Sequence, residues 1–170
     1  MYDRILVPTD GSEQGERAVE HAFEVARVHG AAVRAIYVVN AANYGGLPME
    51  TAWDGISDAL REEGQAAVDR VVELAPDDIT VETAVLEGSP SRAIVAEAQP
   101  ETCDLVVMGT HGRGGIDRLL LGSVAERVVR RAGVPVLTVR VDGSVPAPGE
   151  RSAESESEST AEQNAQATVE

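Results

Sequence analysis

Gly109 and Gly112 stand three residues apart, and nine further residues separate Gly112 from Gly122-Ser123; the whole segment follows the apolar run Cys103-Asp-Leu-Val-Val-Met108. A buried strand that runs into a glycine turn and then a helix brings backbone N–H groups and the positive end of a helix dipole to one place, a geometry suited to phosphate oxygens. Singly, the glycines would serve as positive-φ turn residues and Ser123 as an ordinary N-cap. Jointly, at this spacing, they favour a nucleotide site.

A second polar cluster, Thr9-Asp10-Gly11-Ser12, ends the apolar stretch Arg4-Ile-Leu-Val-Pro8. Asp10 has two readings: helix capping, or facing ribose hydroxyls. Next to a polyphosphate its charge would repel unless a divalent cation intervened. His111 is either a phosphate donor or a turn residue. Arg113 and Arg118 lie on the same loop and could offset phosphate charge. His21 and His29 show no partner pattern.

Several chemistries are disfavoured by what is missing. All 14 basic residues are arginine, so a P-loop lysine is impossible, and no Gly-x-Gly-x-x-Gly follows the first strand. Neither a Gly-x-Ser-x-Gly elbow nor a metal-spaced histidine pair is present. The single cysteine, Cys103, rules out an intrachain disulfide and reads as a small residue at a strand start.

The elements that must hold these clusters follow from periodicity. Ala18, Val19, Ala22, Phe23, Val25 and Ala26 recur at helical spacing, with Asp10 or Ser12 to start the helix and Gly30 to stop it. Ala32 to Val39 is a nearly continuous apolar strand, and Asn40 to Gly55 is loop-like, a lid or an insertion. The pattern predicts a helix over Ile56 to Ala75, a strand over Ile79 to Leu86, and a helix over Pro90 to Ala98 capped by Ser89 with Pro90 at its first position. Asp104 to Met108 is the fourth strand. Ser123 and Glu126 form a Ser-x-x-Glu capping box for a helix to about Arg131, and Val134 to Val141 is the last strand. Five strands alternating with four helices predict an α/β fold with one doubly wound parallel sheet. Ligands in such sheets sit where the strand order reverses, and the special residues follow strands one and four, so those two should be neighbours, in the order 3-2-1-4-5.

At 170 residues, with 3% aromatics and a net charge of −15, one Ala/Val/Leu-rich layered domain is expected. Residues 142–170 carry seven acidic groups against one arginine, a net of −6, with little apolar surface to offset chain entropy. They are read as a disordered acidic tail behind a folded domain over 1–141. Duplex DNA is a poor partner for so acidic a chain, and no apolar run is long enough to span a bilayer, so a cytoplasmic protein without nucleic-acid or membrane partners is expected. Acidity without lysine also predicts a halophilic source, for which stability should rise from low to molar KCl.

Ile5-Leu-Val-Pro-Thr-Asp-Gly-Ser12, the pattern from Gly109 to Ser123, and Val134-Pro-Val-Leu-Thr-Val139 together resemble the ATP-binding branch of the universal stress protein family over about residues 1–141. The resemblance implies an adenine nucleotide alpha hydrolase-like fold and an ATP pocket. Asp10 and Gly109 would lie near the ribose, and Val38 would meet adenine through its backbone. Gly112, Gly122 and Ser123 would hold phosphates bridged by Mg²⁺ or Mn²⁺, and Pro8, Thr9, Met108, His111 and Val124 would line the cavity. It also implies a homodimer through the last strand, Pro135 to Val141, and a stress-response regulator acting through protein partners, with at most slow ATP hydrolysis. Two alternatives stay open: an enzyme of the ATP-pyrophosphatase or nucleotidyl-transfer type, and a structural dimerisation module with a vestigial site.

Overall fold

Alternation along three central strands divides the core into two layers. The computed structural model describes residues 1–40, 50–111 and 121–140. Strand β1 (Arg4–Pro8) pairs in parallel with β2 (Ala32–Val39) on one side and with β4 (Leu105–Gly109) on the other. Strands β3 (Val81–Glu87) and β5 (Val136–Val139) complete the five-stranded order β3-β2-β1-β4-β5. Ile5, Val7, Val33, Ala35 and Val107 face one way and pack under helices α1 (Glu13–His29) and α2 (Glu50–Leu74), with Val19, Phe23 and Val71. Leu6, Ile36, Val106 and Met108 face the other way, under α3 (Pro90–Glu97) and α4 (Ser123–Arg131), with Ile94, Ala125 and Val128. A sheet covered on both faces explains why its central strands are continuous apolar runs.

The chain order makes the site. From β1 the connections run outward through β2 to β3, then return to β4 and continue to β5, so the direction reverses between β1 and β4. A crevice opens there, at the carboxyl ends of the strands.

Strand β4 lies one residue later than Asp104 to Met108, and other boundaries differ from the sequence expectations for local reasons. Helix α2 begins at Glu50 rather than Ile56; Gly55 inside it costs only about 1 kcal/mol against alanine, too little to break a helix that packs along the sheet. Strand β3 begins at Val81, because Ile79 donates to the Pro76 carbonyl at 3.0 Å in a turn. Ala98 is the C-cap of α3 rather than its last residue, and Ser89, although at the N-cap, makes no side-chain cap bond. The last strand is shorter than Val134 to Val141, with Pro135 engaged only through its carbonyl, which accepts from Val106 N. At α4 the N-cap is Gly122, and Ser123 is the first helical residue and makes no cap bond. No capping box forms there, since the Glu126 carboxylate pairs with Arg130 at 3.0 Å. The loop and lid reading at 41–49, Gly112, Arg113 and Arg118, Val141 and the acidic tail all lie outside the described residues.

The amino end of the sheet's centre is fastened by polar bonds. Asp104, just before β4, accepts from the backbone N–H groups of Asp3 at 2.8 Å and Arg4 at 2.9 Å, holding the start of β1. These two bonds hold the Asp104 carboxyl below the usual range. The neighbouring Cys103 is buried, and desolvation, then the charges of Asp104 and Glu97, push its thiol up to about 11. No described helix is long and apolar enough to cross a membrane.

Candidate functional site

At the carboxyl end, β1 runs on until Thr9 N donates to the Ile36 carbonyl at 2.9 Å, and β4 until Thr110 N donates to Val139 at 2.9 Å. Beyond those bonds the two chains turn to opposite faces of the sheet. Between them lies a cavity of about 660 Å³, within the range of about 300–1,000 Å³ common for small-molecule sites.

On the α1 side, the turn is tied by a short relay. Gly11 takes the left-handed conformation at φ 72°, which lets the chain double back. The Asp10 Oδ1 accepts from both Ser12 N at 3.1 Å and Ser12 Oγ at 2.7 Å, and Ser12 Oγ accepts from Gly15 N at 3.1 Å. Ser12 is therefore the helix cap, and Asp10 is oriented by that cap. A Cβ at Gly15 would come within 2.9 Å of Asp10 Oδ1, so a missing side chain leaves room for this carboxylate.

On the α4 side, Gly122 N donates to the Thr110 carbonyl at 2.8 Å. That bond pulls the start of α4 so close that a Cβ at Gly122 would lie 3.0 Å from Thr110 O and 3.5 Å from His111 Cα. Gly122 has φ −58°, open to any residue, so proximity and not backbone conformation calls for glycine here. Ser123 is exposed at the first turn of α4, whose leading N–H groups have no partners within the helix. His111 Nδ1 lies 3.1 Å from Thr110 Oγ1, while its Nε2 is buried with no hydrogen-bond partner among the described residues. An orphaned imidazole nitrogen beside a helix N-terminus suits an anionic ligand that would satisfy both.

Pro8, Thr9, Asp10, Val38, Met108, Gly109, His111, Gly122, Ser123 and Val124 all line this one cavity. Of the residues expected at the site from sequence, Gly112 is outside the described residues. The apolar wall, from Ile36, Val38, Pro90, Ile94 and Met108, offers a surface for a flat ring. Pro90, Ile94, Asn40, Leu60, Glu63 and Gly15 also line the cavity and were not singled out for it by sequence. Only Gly15 and Glu63 left a trace there: a glycine in a helix's first turn, and a charge on an apolar helical stripe.

Among the described residues no group of three or more His, Cys, Asp or Glu side chains is placed to hold a metal ion. Comparison with known proteins is consistent from sequence to fold. Residues 1–140 match the model of the Universal stress protein family. Universal stress protein MJ0531 of Methanocaldococcus jannaschii is 45% identical over 141 residues, which cover 82% of this chain and 83% of that one. A universal stress protein of Thermus aquaticus is 35% identical over 142 residues, covering 82% of this chain and 100% of its own length. The solved structure of protein MJ0577, also of Methanocaldococcus jannaschii, is 30% identical with a TM-score of 0.75, over 85% of this chain and 99% of that one. A universal stress protein solved in complex with cAMP is 28% identical with a TM-score of 0.59, over 83% and 98% of the two chains.

Proposed function

The chain belongs to the universal stress protein family, and from that premise we propose that it is a cytoplasmic, ATP-binding stress-response regulator that acts as a homodimer. The observation that carries the nucleotide reading is the junction of Thr110, His111 and Gly122: helix N–H groups and an orphaned Nε2 converge where β1 and β4 separate. A related protein solved with cAMP supports an adenine nucleotide as the ligand.

In this reading the leading amides of α4, with Gly112, Gly122 and Ser123, hold the phosphates. Thr110 and His111 set the position of the anion: a Thr110 hydroxyl donating to Nδ1 leaves Nε2–H as a donor toward it. Asp10, oriented by Ser12, accepts from the ribose near Gly109. The backbone of Val38 meets adenine, against Pro8, Ile36 and Met108, with Thr9 and Val124 closing the cavity. Mg²⁺ or Mn²⁺ would accompany the phosphates, and Asp10, which lines the cavity, would be placed to assist in holding it. In this reading hydrolysis is at most slow.

The dimer reading rests on β5, an edge strand whose four residues are only half-buried. An apolar open edge invites pairing with its own copy, here across Pro135 to Val141. Protein partners would then read the nucleotide state. Equilibrium dialysis against labelled ATP with Mg²⁺ tests the central claim: saturable binding is expected, and no binding at millimolar ATP refutes it.

A further inference from the structure

Strand β2 outlasts its neighbour β1, and the residues past that point line the cavity. Their backbone groups alternate in direction. On the β1 flank, Ala32 N donates to Asp3 O at 3.0 Å and the Ile36 carbonyl accepts from Thr9 N at 2.9 Å; on the β3 flank, Val33 N donates to Thr80 O and the Val39 carbonyl accepts from Gly88 N, both at 2.9 Å. Even-numbered residues of β2 therefore address β1, and odd-numbered ones β3. Strand β1 ends at Pro8, opposite Ile36. The N–H and C=O of Val38 come next on that flank, past the end of β1 and at the cavity.

Side chains alternate too. Ile36 and Val38 pack in the α3 and α4 layer, while Tyr37 turns the other way, toward Gly64 of α2. Asn40, half-buried and lining the same cavity, continues the row of Ile36 and Val38. Two residues of strand carry it about 7 Å beyond Val38, at the outer end of the apolar wall.

The direction of the strand then orients a base. Within a residue the N–H precedes the C=O, so at Val38 the donor lies on the Ile36 side and the acceptor on the Asn40 side. Adenine carries an acceptor, N1, beside a donor, its 6-amino group. Paired with Val38 through that edge, it sets N1 toward Ile36 and the amino group toward Asn40, and it turns the glycosidic nitrogen back toward β1 and β4, where the ribose lies in the reading above. The second amino hydrogen and N7 then face outward along β2. A carboxamide matches that edge with two bonds, its oxygen accepting from the amino group and its NH₂ donating to N7.

We propose that Asn40 is a specificity-determining residue that reads the amino and N7 edge of adenine, so that the base is recognised on two edges. The inference rests on the nucleotide reading, in which the Val38 backbone meets adenine. It concerns the base alone and applies equally to nucleotides with open and cyclised phosphates.

Competition against labelled ATP tests it, using unlabelled ATP and 7-deaza-ATP, in which a C–H replaces N7, with the full-length wild type, Asn40→Ala and Asn40→Asp. The wild type is expected to bind ATP about fivefold or more tighter than 7-deaza-ATP, or about 1 kcal/mol. Asn40→Ala should weaken ATP by about tenfold and 7-deaza-ATP by only about twofold, so that the two bind alike. Asn40→Asp keeps an acceptor for the amino group but sets a carboxylate against N7, and should prefer 7-deaza-ATP to ATP, a reversal that damaged folding cannot produce. If labelled ATP binds but the wild type shows no preference, or the preference persists in either variant, or both variants lose both nucleotides, the role of Asn40 is overturned while the nucleotide reading stands. If labelled ATP fails to bind the wild type, both fall.

Discussion

Enlarging Gly122 is the most incisive perturbation of the proposed site, because its effect can be worked from two contacts. A methyl group there would lie 3.0 Å from the Thr110 carbonyl oxygen, and ordinary packing requires about 0.4 Å more. The Gly122 N–H to Thr110 bond, 2.8 Å long, would have to stretch to relieve the contact, which weakens it by up to about 1 kcal/mol. Alanine is also a poorer N-cap than glycine, by a further fraction of about 1 kcal/mol. Gly122→Ala should therefore lower the stability by about 1–2 kcal/mol and the Tm by about 3–7 °C. Gly122→Val adds two more carbons against His111 and the leading turn of α4, where the anion would sit. A loss of ATP affinity of at least about a hundredfold, or about 2.7 kcal/mol, is expected. Equilibrium dialysis gives the affinity, thermal melts the stability, and light scattering checks the oligomer, because Thr110, against which Gly122 sits, also bonds to Val139 of β5. A folded Gly122→Val protein that binds ATP within threefold of the wild type would refute the phosphate cradle.

Gly15→Ala pushes against the Asp10 carboxylate at 2.9 Å. Helix propensity offsets the strain, so melts should shift by less than about 1 kcal/mol while ATP affinity falls several-fold; unchanged affinity would detach Asp10 from the ligand. Asp104→Ala removes two bonds to the backbone of Asp3 and Arg4 and should cost about 1–2 kcal/mol at neutral pH, the site being partly solvated. The folded carboxyl titrates below its unfolded value of about 3.9, so its stabilisation is complete above that value and lost as pH falls through the folded one. Urea melts should show the wild type and variant converging in acid; a gap independent of pH would contradict this. Cys103, held up to about 11, should react with iodoacetamide at pH 8 at least about a hundredfold more slowly than an unperturbed thiol. Alkylation of the native protein at the rate of a free thiol would overturn the burial argument.

Much of the fold could be read from the sequence because its signals are local and mutually consistent. The continuous apolar stretches at Ile5 to Val7 and Leu105 to Met108 have the composition of strands covered on both faces, and the clusters at Thr9-Asp10 and Gly109 mark the strands between which the order reverses. That is why β1 and β4 could be placed side by side before any contact was known. The misread details depend on neighbours. Ser123 and Glu126 have the spacing of a capping box, but Gly122 bonds directly to Thr110 and takes the cap position itself. Trp53 and Gly55 read as loop, yet α2 extends through them. Glu63 left only a faint trace, since a charge on a helix ordinarily faces solvent; the seating of Gly64 on Tyr37 shows which way that turn looks.

The clasp between Asp104 and the first residues of β1 spans 101 and 100 positions of sequence, and it bears on how the chain is made. The first strand off the ribosome is the middle strand of the finished sheet. Early in synthesis it can zip only to β2, leaving its other edge bare until nearly two-thirds of the polypeptide has emerged. The nascent chain therefore carries an unpaired apolar ribbon for much of its translation, a state that favours chaperone capture and makes arrival of the fourth strand the event that commits the domain to fold.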